Sequence, residues 1–327
     1  MNLDDIIYYV VLPFLRYPFV PLLPFTRVSV WTKFIAVLFS IALHLFLHYN
    51  RWWKTNRMGN WTNPILAKGN IIVISGGSGG LGQALITTML GKFPLSTIVN
   101  IDIVPSEVSN ERIKFYQCDL SKPEEVDRVL ALIEDQFAGR IGCIINNAGI
   151  RLPFNKMRTL PEQEIKKIFQ INCFSGVKLI QTLTPKKSED RHCYVVTIAS
   201  ILGVLNASKV SAYAASKAAL ISFHQSFEHE LISEKESHIR TLLVLPGQLN
   251  TKMFGGFEPP RQFWAPTVDT TDLAEEIIQK YSTGECGTLY KPFYAYFSHL
   301  LMSLPYCIQV LTRRVSRIDD CLPDESQ

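Results

Sequence analysis

The chain has 327 residues, of which 47% are hydrophobic and 19% are charged, and its formal net charge is +4. Residues 1–70 carry seven basic and two acidic side chains, which leaves 26 basic and 27 acidic side chains in the remainder. Because phosphate binding usually needs a basic face, this nearly neutral body argues against nucleic acid as a partner. The seven cysteines are widely spread without a C-x-x-C pair, so we expect reduced thiols, a cytosol-facing domain and no metal site.

Residues 1–57 form a predicted membrane-anchoring segment. Prolines interrupt its first apolar stretch, from Ile6 to Phe25, which favours an interfacial or re-entrant segment there. The run from Val28 to Tyr49 is long enough to cross a hydrocarbon core of roughly 30 Å, so we predict a single transmembrane helix at about 28–49. Basic residues after this helix place the catalytic body on the cytosolic side. The alternative is a buried hairpin packed on the domain.

After a linker at 58–70, a short apolar run from Ile71 to Ile74 predicts a buried strand followed by a glycine-rich turn. Gly76, Gly80 and Gly82 have the spacing G-x-x-x-G-x-G. Glycines let the backbone approach a pyrophosphate, and the following helix offers unpaired N–H groups at its N-terminus. This pattern predicts a site for a dinucleotide.

The second predicted strand, from Ile98 to Ile101, ends in Asp102. A carboxylate at this place can accept hydrogen bonds from an adenosine ribose and repels a 2′-phosphate, which favours NAD over NADP as the cofactor. An ordinary loop carboxylate is the alternative interpretation of Asp102, and NADP stays open as the cofactor.

Two further strands, Ile113 to Gln117 and Ile141 to Ile145, are followed by polar residues. The first leads to Asp119 and to a helix that we expect Ser121 to cap, and the second ends in an N-N-A-G run. Ligands collect at the carboxyl ends of parallel strands. The alternation of strands and helices predicts a single doubly wound α/β domain with a parallel sheet.

A candidate proton-handling site follows in the second half of the chain. Asn172 lies on a long predicted helix, and the strand from Tyr194 to Ile198 ends just before Ser200. Tyr213 and Lys217 are four residues apart, so both side chains share one helix face. A phenol, with a reference pKa near ~10, is a poor base at neutral pH, and a nearby ammonium favours its phenolate.

From about Ile71 to Tyr290 the chain resembles the short-chain dehydrogenase/reductase family. The resemblance rests on motifs in the family's order, namely the glycine-rich turn with Ser75 where Thr is usual, Asp119, the N-N-A-G run at Asn146 to Gly149, Asn172, Ser200, Y-x-x-x-K at Tyr213 and Lys217, and P-G-x-x-x-T at Pro246 to Thr251. It implies a Rossmann-type domain at 71–290. The cofactor-binding residues that these motifs and Asp102 predict are Ser75, Gly76, Gly80, Gly82, Asp102, Asp119, Asn146, Ala148, Gly149, Lys217, Pro246, Gly247 and Thr251.

The resemblance also implies catalytic roles. Tyr213 would exchange a proton with the substrate oxygen, and Ser200 would hydrogen-bond that oxygen. Lys217 would hold the nicotinamide ribose and lower the pKa of Tyr213, while Asn172 would keep a water that relays protons outward. These roles suit hydride transfer, which develops negative charge on an oxygen that needs a donor.

The C-terminal part carries the predicted substrate side. The Phe-, Gly- and Pro-rich stretch from Met253 to Pro266 could cover a lipophilic substrate, as the corresponding loop borders the substrate pocket in this family. A loop packed on the domain surface is the alternative. Thr271 or Asp272 is expected to cap the next helix. Residues 291–327 form an apolar tail, for which a membrane-surface helix, a dimer contact and a cover over the pocket all remain open.

A narrower resemblance is to the membrane-bound branch that includes retinol dehydrogenases and lipid-droplet 17β-hydroxysteroid dehydrogenases. It implies an NAD-linked alcohol or carbonyl substrate that is lipophilic, in endoplasmic reticulum or droplet membranes, with a mitochondrial membrane as the alternative. One rival function is an NADPH-dependent lipid ketone reductase. Another is a catalytically silent membrane-bound sensor of lipid or nucleotide, and a homodimer is compatible with each.

Overall fold

The computed structural model describes residues 2–18, 29–56, 61, 69–186, 191–255 and 261–323. Within these residues, seven parallel strands form one sheet in the order β3-β2-β1-β4-β5-β6-β7. The strands are β1 (Ile71–Ser75), β2 (Thr97–Asp102), β3 (Ile113–Gln117), β4 (Ile141–Asn146), β5 (Cys193–Ile198), β6 (Ile239–Pro246) and β7 (Gly287–Lys291). This sheet confirms the predicted doubly wound, Rossmann-type fold.

Helices precede the sheet, alternate with its strands and follow it. In the described residues they are α1 (Leu3–Ile6), α2 (Leu12–Arg16), α3 (Val30–Asn56), α4 (Gly80–Lys92), α5 (Pro123–Phe137), α6 (Glu162–Phe169), α7 (Ser175–Leu183), α8 (Leu202–Leu205), α9 (Ser211–Ser233), α10 (Thr270–Thr283), α11 (Ser298–Ser303) and α12 (Tyr306–Ser316). A π-helical turn, Ile7–Val11, joins α1 to α2, and another, Gln170–Phe174, joins α6 to α7.

Both faces of the sheet are covered. Ile72 and Ile74 of β1 point into a core shared with α4 and α10, whereas Ile71 and Val73 point into a core shared with α5 and α7. Strands buried on both faces consist of continuous apolar runs, as the sequence of β1 does. The strand order reverses between β1 and β4, so a crevice opens where their carboxyl ends diverge.

Two predicted helix caps are wrong. The Ser121 hydroxyl donates to Asp119 at 2.7 Å, and α5 begins at Pro123 without a side-chain cap. Asp269 caps α10, because its carboxylate accepts hydrogen bonds from two backbone N–H groups of the first turn, one of them that of Thr271 at 2.8 Å. Asp269 immediately precedes the helix, at the N-cap position, from which its side chain can reach these two N–H groups.

The apolar helix α3 starts at Val30 and continues to Asn56, beyond the predicted end at Tyr49. By length and composition α3 could cross a membrane, and the residues of its most apolar stretch are almost all exposed. Val28 lies outside the described residues, as do positions 57–60 and 62–68 of the predicted linker region.

Candidate active site

A cleft of about 1830 Å³ lies at the carboxyl ends of the strands and runs from the glycine-rich turn to the C-terminal tail. Pockets for a single small ligand commonly measure about 300–1000 Å³, so this cleft has room for a dinucleotide and a second molecule. Twelve of the predicted site residues line it, namely Gly76, Gly80, Asp102, Asp119, Ala148, Gly149, Ser200, Tyr213, Lys217, Pro246, Gly247 and Thr251.

Other predicted site residues lie behind the cleft wall. The Ser75 hydroxyl accepts hydrogen bonds from the backbone N–H groups of Asn147 and Ala148, both at 3.2 Å, which ties the end of β1 to the end of β4. Gly82 packs against the backbone of the glycine-rich turn, and Asn146 is buried within the sheet. These three residues shape the cleft from outside it.

The glycine-rich turn is held by a residue that the sequence analysis missed. Gly76 has φ +67°, and a Cβ there would lie 2.7 Å from the Cα of Ala148, so only glycine fits. The buried Asn100 accepts a hydrogen bond from Gly77 N at 3.1 Å and donates one to the Ser78 hydroxyl at 2.9 Å. A polar residue inside the otherwise apolar strand β2 is the signal that could have identified Asn100.

Asp102 joins this turn to the edge of the cleft. One carboxylate oxygen accepts a hydrogen bond from Ser78 N at 2.9 Å, and the other accepts from Ile103 N at 2.7 Å. Each carboxylate oxygen can accept two hydrogen bonds, so both retain capacity for the hydroxyls of a ribose.

Asn172 lies in the π-helical turn and positions the loop after Gly149. Its amide oxygen accepts from Ile150 N at 2.8 Å, and its NH₂ group donates to Ile150 O at 2.9 Å and to the Ser216 hydroxyl at 3.1 Å. Both amide hydrogens are therefore used within the protein. Within the side chain, only the amide oxygen retains capacity to bind a water.

Lys217 is buried on α9, and its ammonium donates to Ile198 O at 3.0 Å. Burial lowers the pKa of Lys217 to about 8, because the low-dielectric surroundings disfavour the charged form. Its Nζ atom lies 6.0 Å from the ring centroid of Tyr213.

Burial raises the pKa of Tyr213 to about 12, while a hydrogen bond from the Ser200 hydroxyl acts in the opposite direction. Burial of the phenol dominates its pKa in the protein alone, where the ammonium of Lys217 is directed to the carbonyl of Ile198. The protonated phenol is therefore the resting form of Tyr213. The role of Lys217 in lowering the pKa of Tyr213 stays a prediction.

The far end of the cleft is apolar. From the predicted substrate loop, Met253, Phe254 and Trp264 line it, whereas Phe257 lies outside the described residues. The ring of Phe254 stands edge-on to that of Tyr213, with centroids 5.5 Å apart. The tail contributes a second wall, which consists of residues from α11, α12 and the segment after them, including Leu301, Leu311, Val315, Ile318 and Leu322.

The family model described as short chain dehydrogenase matches residues 70–262. The chain belongs to the short-chain dehydrogenase family. This confirms the family predicted from the motifs. The protein is thus an oxidoreductase that acts on a CH–OH group with NAD or NADP as the hydride acceptor.

Individual relatives agree with this family. The chain is 46% identical to the uncharacterized oxidoreductase TDA5 of Saccharomyces cerevisiae, over 99% of this chain and 100% of that protein. It is 29% identical to epidermal retinol dehydrogenase 2 of Mus musculus, over 72% of this chain and 78% of that protein. A short chain dehydrogenase from Burkholderia cenocepacia, solved in complex with NADP, shares the fold with a TM-score of 0.61 at 20% identity, covering 76% of this chain and 98% of that one.

The site fits a dinucleotide. At Gly76 the backbone leaves no room for a side chain, and the cleft is continuous from this turn to Lys217. Close approach of a glycine backbone suits a pyrophosphate, and the N-terminus of α4 follows directly.

Proposed function

We propose that this protein is a membrane-attached oxidoreductase that interconverts an alcohol and a ketone or aldehyde on a lipophilic substrate. The observation that carries this proposal is the position of Ser200, Tyr213 and Lys217 in one cleft, between its glycine-rich end and its apolar end. Similarity to a retinol dehydrogenase supports a lipophilic substrate. The exposed apolar helix α3 supports attachment to endoplasmic reticulum or lipid-droplet membranes, with the catalytic domain in the cytosol.

The bound nicotinamide cofactor would supply or accept the hydride. The backbone at Gly76 and Gly80 would hold its phosphates, Asp102 its adenosine ribose and Lys217 its nicotinamide ribose. Asp102 favours NAD, because a carboxylate repels the 2′-phosphate of NADP.

The chain's own groups handle the proton. In carbonyl reduction, Tyr213 donates its phenolic proton to the substrate oxygen while Ser200 donates a hydrogen bond to the same oxygen. Protonated Tyr213 is ready for this step, because burial holds its pKa at about 12. In alcohol oxidation the same groups act in reverse, and Lys217, with a pKa of about 8, can exchange protons near neutral pH. Asn172 positions the loop at Ile150 rather than the substrate.

The proposed mechanism predicts the effect of Tyr213→Phe. Removing the hydroxyl removes the proton donor, so turnover of lipophilic alcohols and ketones falls below detection while cofactor binding persists. On the purified full-length protein, titration of cofactor fluorescence measures cofactor binding and turnover assays measure activity. Tyr116→Phe is the matched control, because the Tyr116 hydroxyl donates a hydrogen bond to the side chain of Gln136, away from the cleft. Oxidoreductase activity retained by the Tyr213→Phe variant would falsify the mechanism.

Lipid profiling identifies the substrate class. Membranes that contain the active protein should differ from membranes that contain the Tyr213→Phe variant in the ratio of one lipophilic alcohol to its carbonyl product. Identical profiles, together with intact lipid or nucleotide binding, would favour the silent sensor over the enzyme.

A further inference from the structure

The first residues of the chain contact the catalytic domain. The Leu3 N–H, which has no acceptor within α1, donates to Phe263 O at 2.8 Å. The Asp4 carboxylate accepts from Phe293 N at 2.9 Å. A capping box between Asn2 and the third residue of the helix fixes this turn. The helix α1 is therefore held against the catalytic domain.

The far end of the N-terminal apolar segment contacts the same domain. Cys286 N donates to Lys54 O at 3.0 Å. The fully buried Arg240 donates through Nη1 to Thr55 O at 2.5 Å and to Gly284 O at 2.6 Å. A buried guanidinium thus satisfies a carbonyl in the last turn of α3, where helix carbonyls lack intrahelical donors.

Between these two attachments the segment folds back on itself. The Ser40 hydroxyl, which is 4% exposed, donates to Arg16 O, and the rings of Tyr17 and His44 lie 5.1 Å apart. At 1.5 Å per residue, the limb from Leu3 to Arg16 is about 20 Å long and the limb of α3 from Ser40 to Thr55 is about 22 Å long. The two limbs therefore match in length.

The limbs expose large apolar side chains to their surroundings. On the first limb and α3 these include Tyr8, Tyr9, Phe14, Leu15, Phe34, Ile35, Leu38, Ile41, Leu45 and Phe46. Water-exposed apolar surfaces of this extent are rare on soluble proteins. Tyr49, Trp52 and Trp53 follow near the domain, as aromatic residues do at the interface of a bilayer. Lipid is therefore the occupant that suits this surface.

We propose that the N-terminal segment is a membrane hairpin that enters and leaves the lipid on the side of the catalytic domain. It replaces the single crossing predicted from the sequence and rests on the membrane attachment of the proposed function. A single crossing would put Leu3 and Asp4 on the opposite side of the membrane from Phe263 and Phe293, and both hydrogen bonds would be impossible. The hairpin preserves all four hydrogen bonds to the catalytic domain, namely those of Leu3 and Asp4 at its start and those of Lys54 and Thr55 at its end.

The attachment of Leu3 and Asp4 lies beside the substrate end of the cleft, whereas Lys54 and Thr55 are attached at the amino ends of β6 and β7. Phe263 precedes Trp264, and Phe293 precedes Tyr294, and both of these neighbours line the cleft. The entrance for a lipophilic substrate is thus next to the lipid that the hairpin occupies.

Protease protection on sealed vesicles tests the topology. The full-length protein carries one epitope before Met1 and a second epitope after Gln327, and vesicles with the catalytic domain outside receive protease without detergent. We expect both epitopes to disappear at the same rate. An amino-terminal epitope that survives until detergent is added overturns the hairpin. The inactive Tyr213→Phe variant should give the same pattern, which separates topology from catalysis.

A cross-link provides a second test without an added epitope. In a background that carries Cys307→Ser and Cys321→Ser, Leu3→Cys and Phe263→Cys should be joined by a short bismaleimide in intact membranes, whereas either introduced cysteine alone should give no product. Absence of the cross-link in folded, membrane-bound protein overturns the proposal. Loss of the protein from carbonate-washed membranes would instead overturn the membrane attachment on which both proposals depend.

Discussion

The buried ammonium of Lys217 lowers the stability of the folded protein at neutral pH. Its pKa falls from 10.5 to about 8 on folding, which corresponds to about 3 kcal/mol at roughly 1.4 kcal/mol per unit. At pH values below about 8, the pKa of Lys217 in the folded protein, the full loss of stability applies. Between the folded and unfolded pKa values the unfolded chain binds a proton that the folded chain lacks, so stability rises with pH.

Lys217→Met isolates this effect. Between about pH 7 and about pH 10, the melting temperature of the wild-type protein in detergent should rise relative to that of the variant. Lys178→Met is the control, since Lys178 forms an exposed ion pair with Asp127 and is not buried. A difference in melting temperature between wild type and Lys217→Met that does not change with pH would contradict the lowered pKa of Lys217.

Ser200 has a separate and measurable effect on Tyr213. Its hydrogen bond lowers the pKa of a phenol that burial raises, so Ser200→Ala should raise that pKa further. The pH profile of kcat for alcohol oxidation, which needs the phenolate, should therefore move to higher pH in Ser200→Ala. Ser200→Thr keeps a hydroxyl and should retain the wild-type profile. If the pH profile of Ser200→Ala does not shift, Ser200 does not lower the pKa of Tyr213.

Asp102 decides the choice of cofactor in the proposed reaction. Asp102→Ser removes the charge that repels a 2′-phosphate, so kcat/KM for NADPH relative to NADH should rise about tenfold or more, which corresponds to about 1.4 kcal/mol or more. Glu107→Gln serves as the control, because Glu107 also lines the cleft. A wild-type protein that already prefers NADPH would disprove the assignment and favour the lipid ketone reductase.

At the scale of elements, the strands were predictable and some helix details were not. Parallel strands buried on both faces are continuous apolar runs, as in β1, and even the partly exposed edge strand β3 has the predicted bounds, Ile113–Gln117. The Ser121 cap failed because the carboxylate of Asp119, two residues earlier, accepts hydrogen bonds from both the hydroxyl and the N–H of Ser121 in a local turn. The π-helical turn around Asn172 leaves no pattern in hydrophobic spacing.

The site was predictable where its residues follow strands and belong to motifs. Asn100 was missed as a part of the site, and the place of the tail was left open, for a different reason. The tail reaches the cleft through contacts between residues far apart in sequence, such as the Arg313 guanidinium with Leu205 O at 3.0 Å. No local pattern encodes such a contact, so three accounts of the tail stayed open until packing was known.

The helix α12 supplies a prediction for this wall. Leu311 lines the cleft and remains largely exposed, so Leu311→Asp introduces a charge where a lipophilic substrate would pack. KM for the lipophilic substrate should rise several-fold while KM for the cofactor stays unchanged. Tyr306→Asp is the control on the same helix, because Tyr306 is exposed away from the cleft. Equal effects of both substitutions would indicate a general loss of membrane contact instead.

At the scale of the whole molecule, the cleft has two different neighbours. Its glycine-rich end lies at the centre of the sheet, where β1 and β4 diverge, and its apolar end lies beside the attachment of Leu3 and Asp4. A water-soluble cofactor and a lipid-soluble substrate would therefore reach Tyr213 from opposite ends of one cleft. This arrangement keeps the reacting carbon close to the lipid phase.

The contact between Asp4 and Phe293 also constrains how the protein is made, because the two residues are 289 positions apart. At about 5–20 residues per second, a ribosome would need roughly 15–60 s after the first residue to deliver the second. For that interval Asp4 lacks its partner, and for most of it Leu3 lacks Phe263 as well. In the proposed hairpin the amino terminus stays on the side of the ribosome, since an end that crossed the membrane could not meet Phe293. The proposal therefore requires that orientation is decided during synthesis, well before the domain that depends on it has folded.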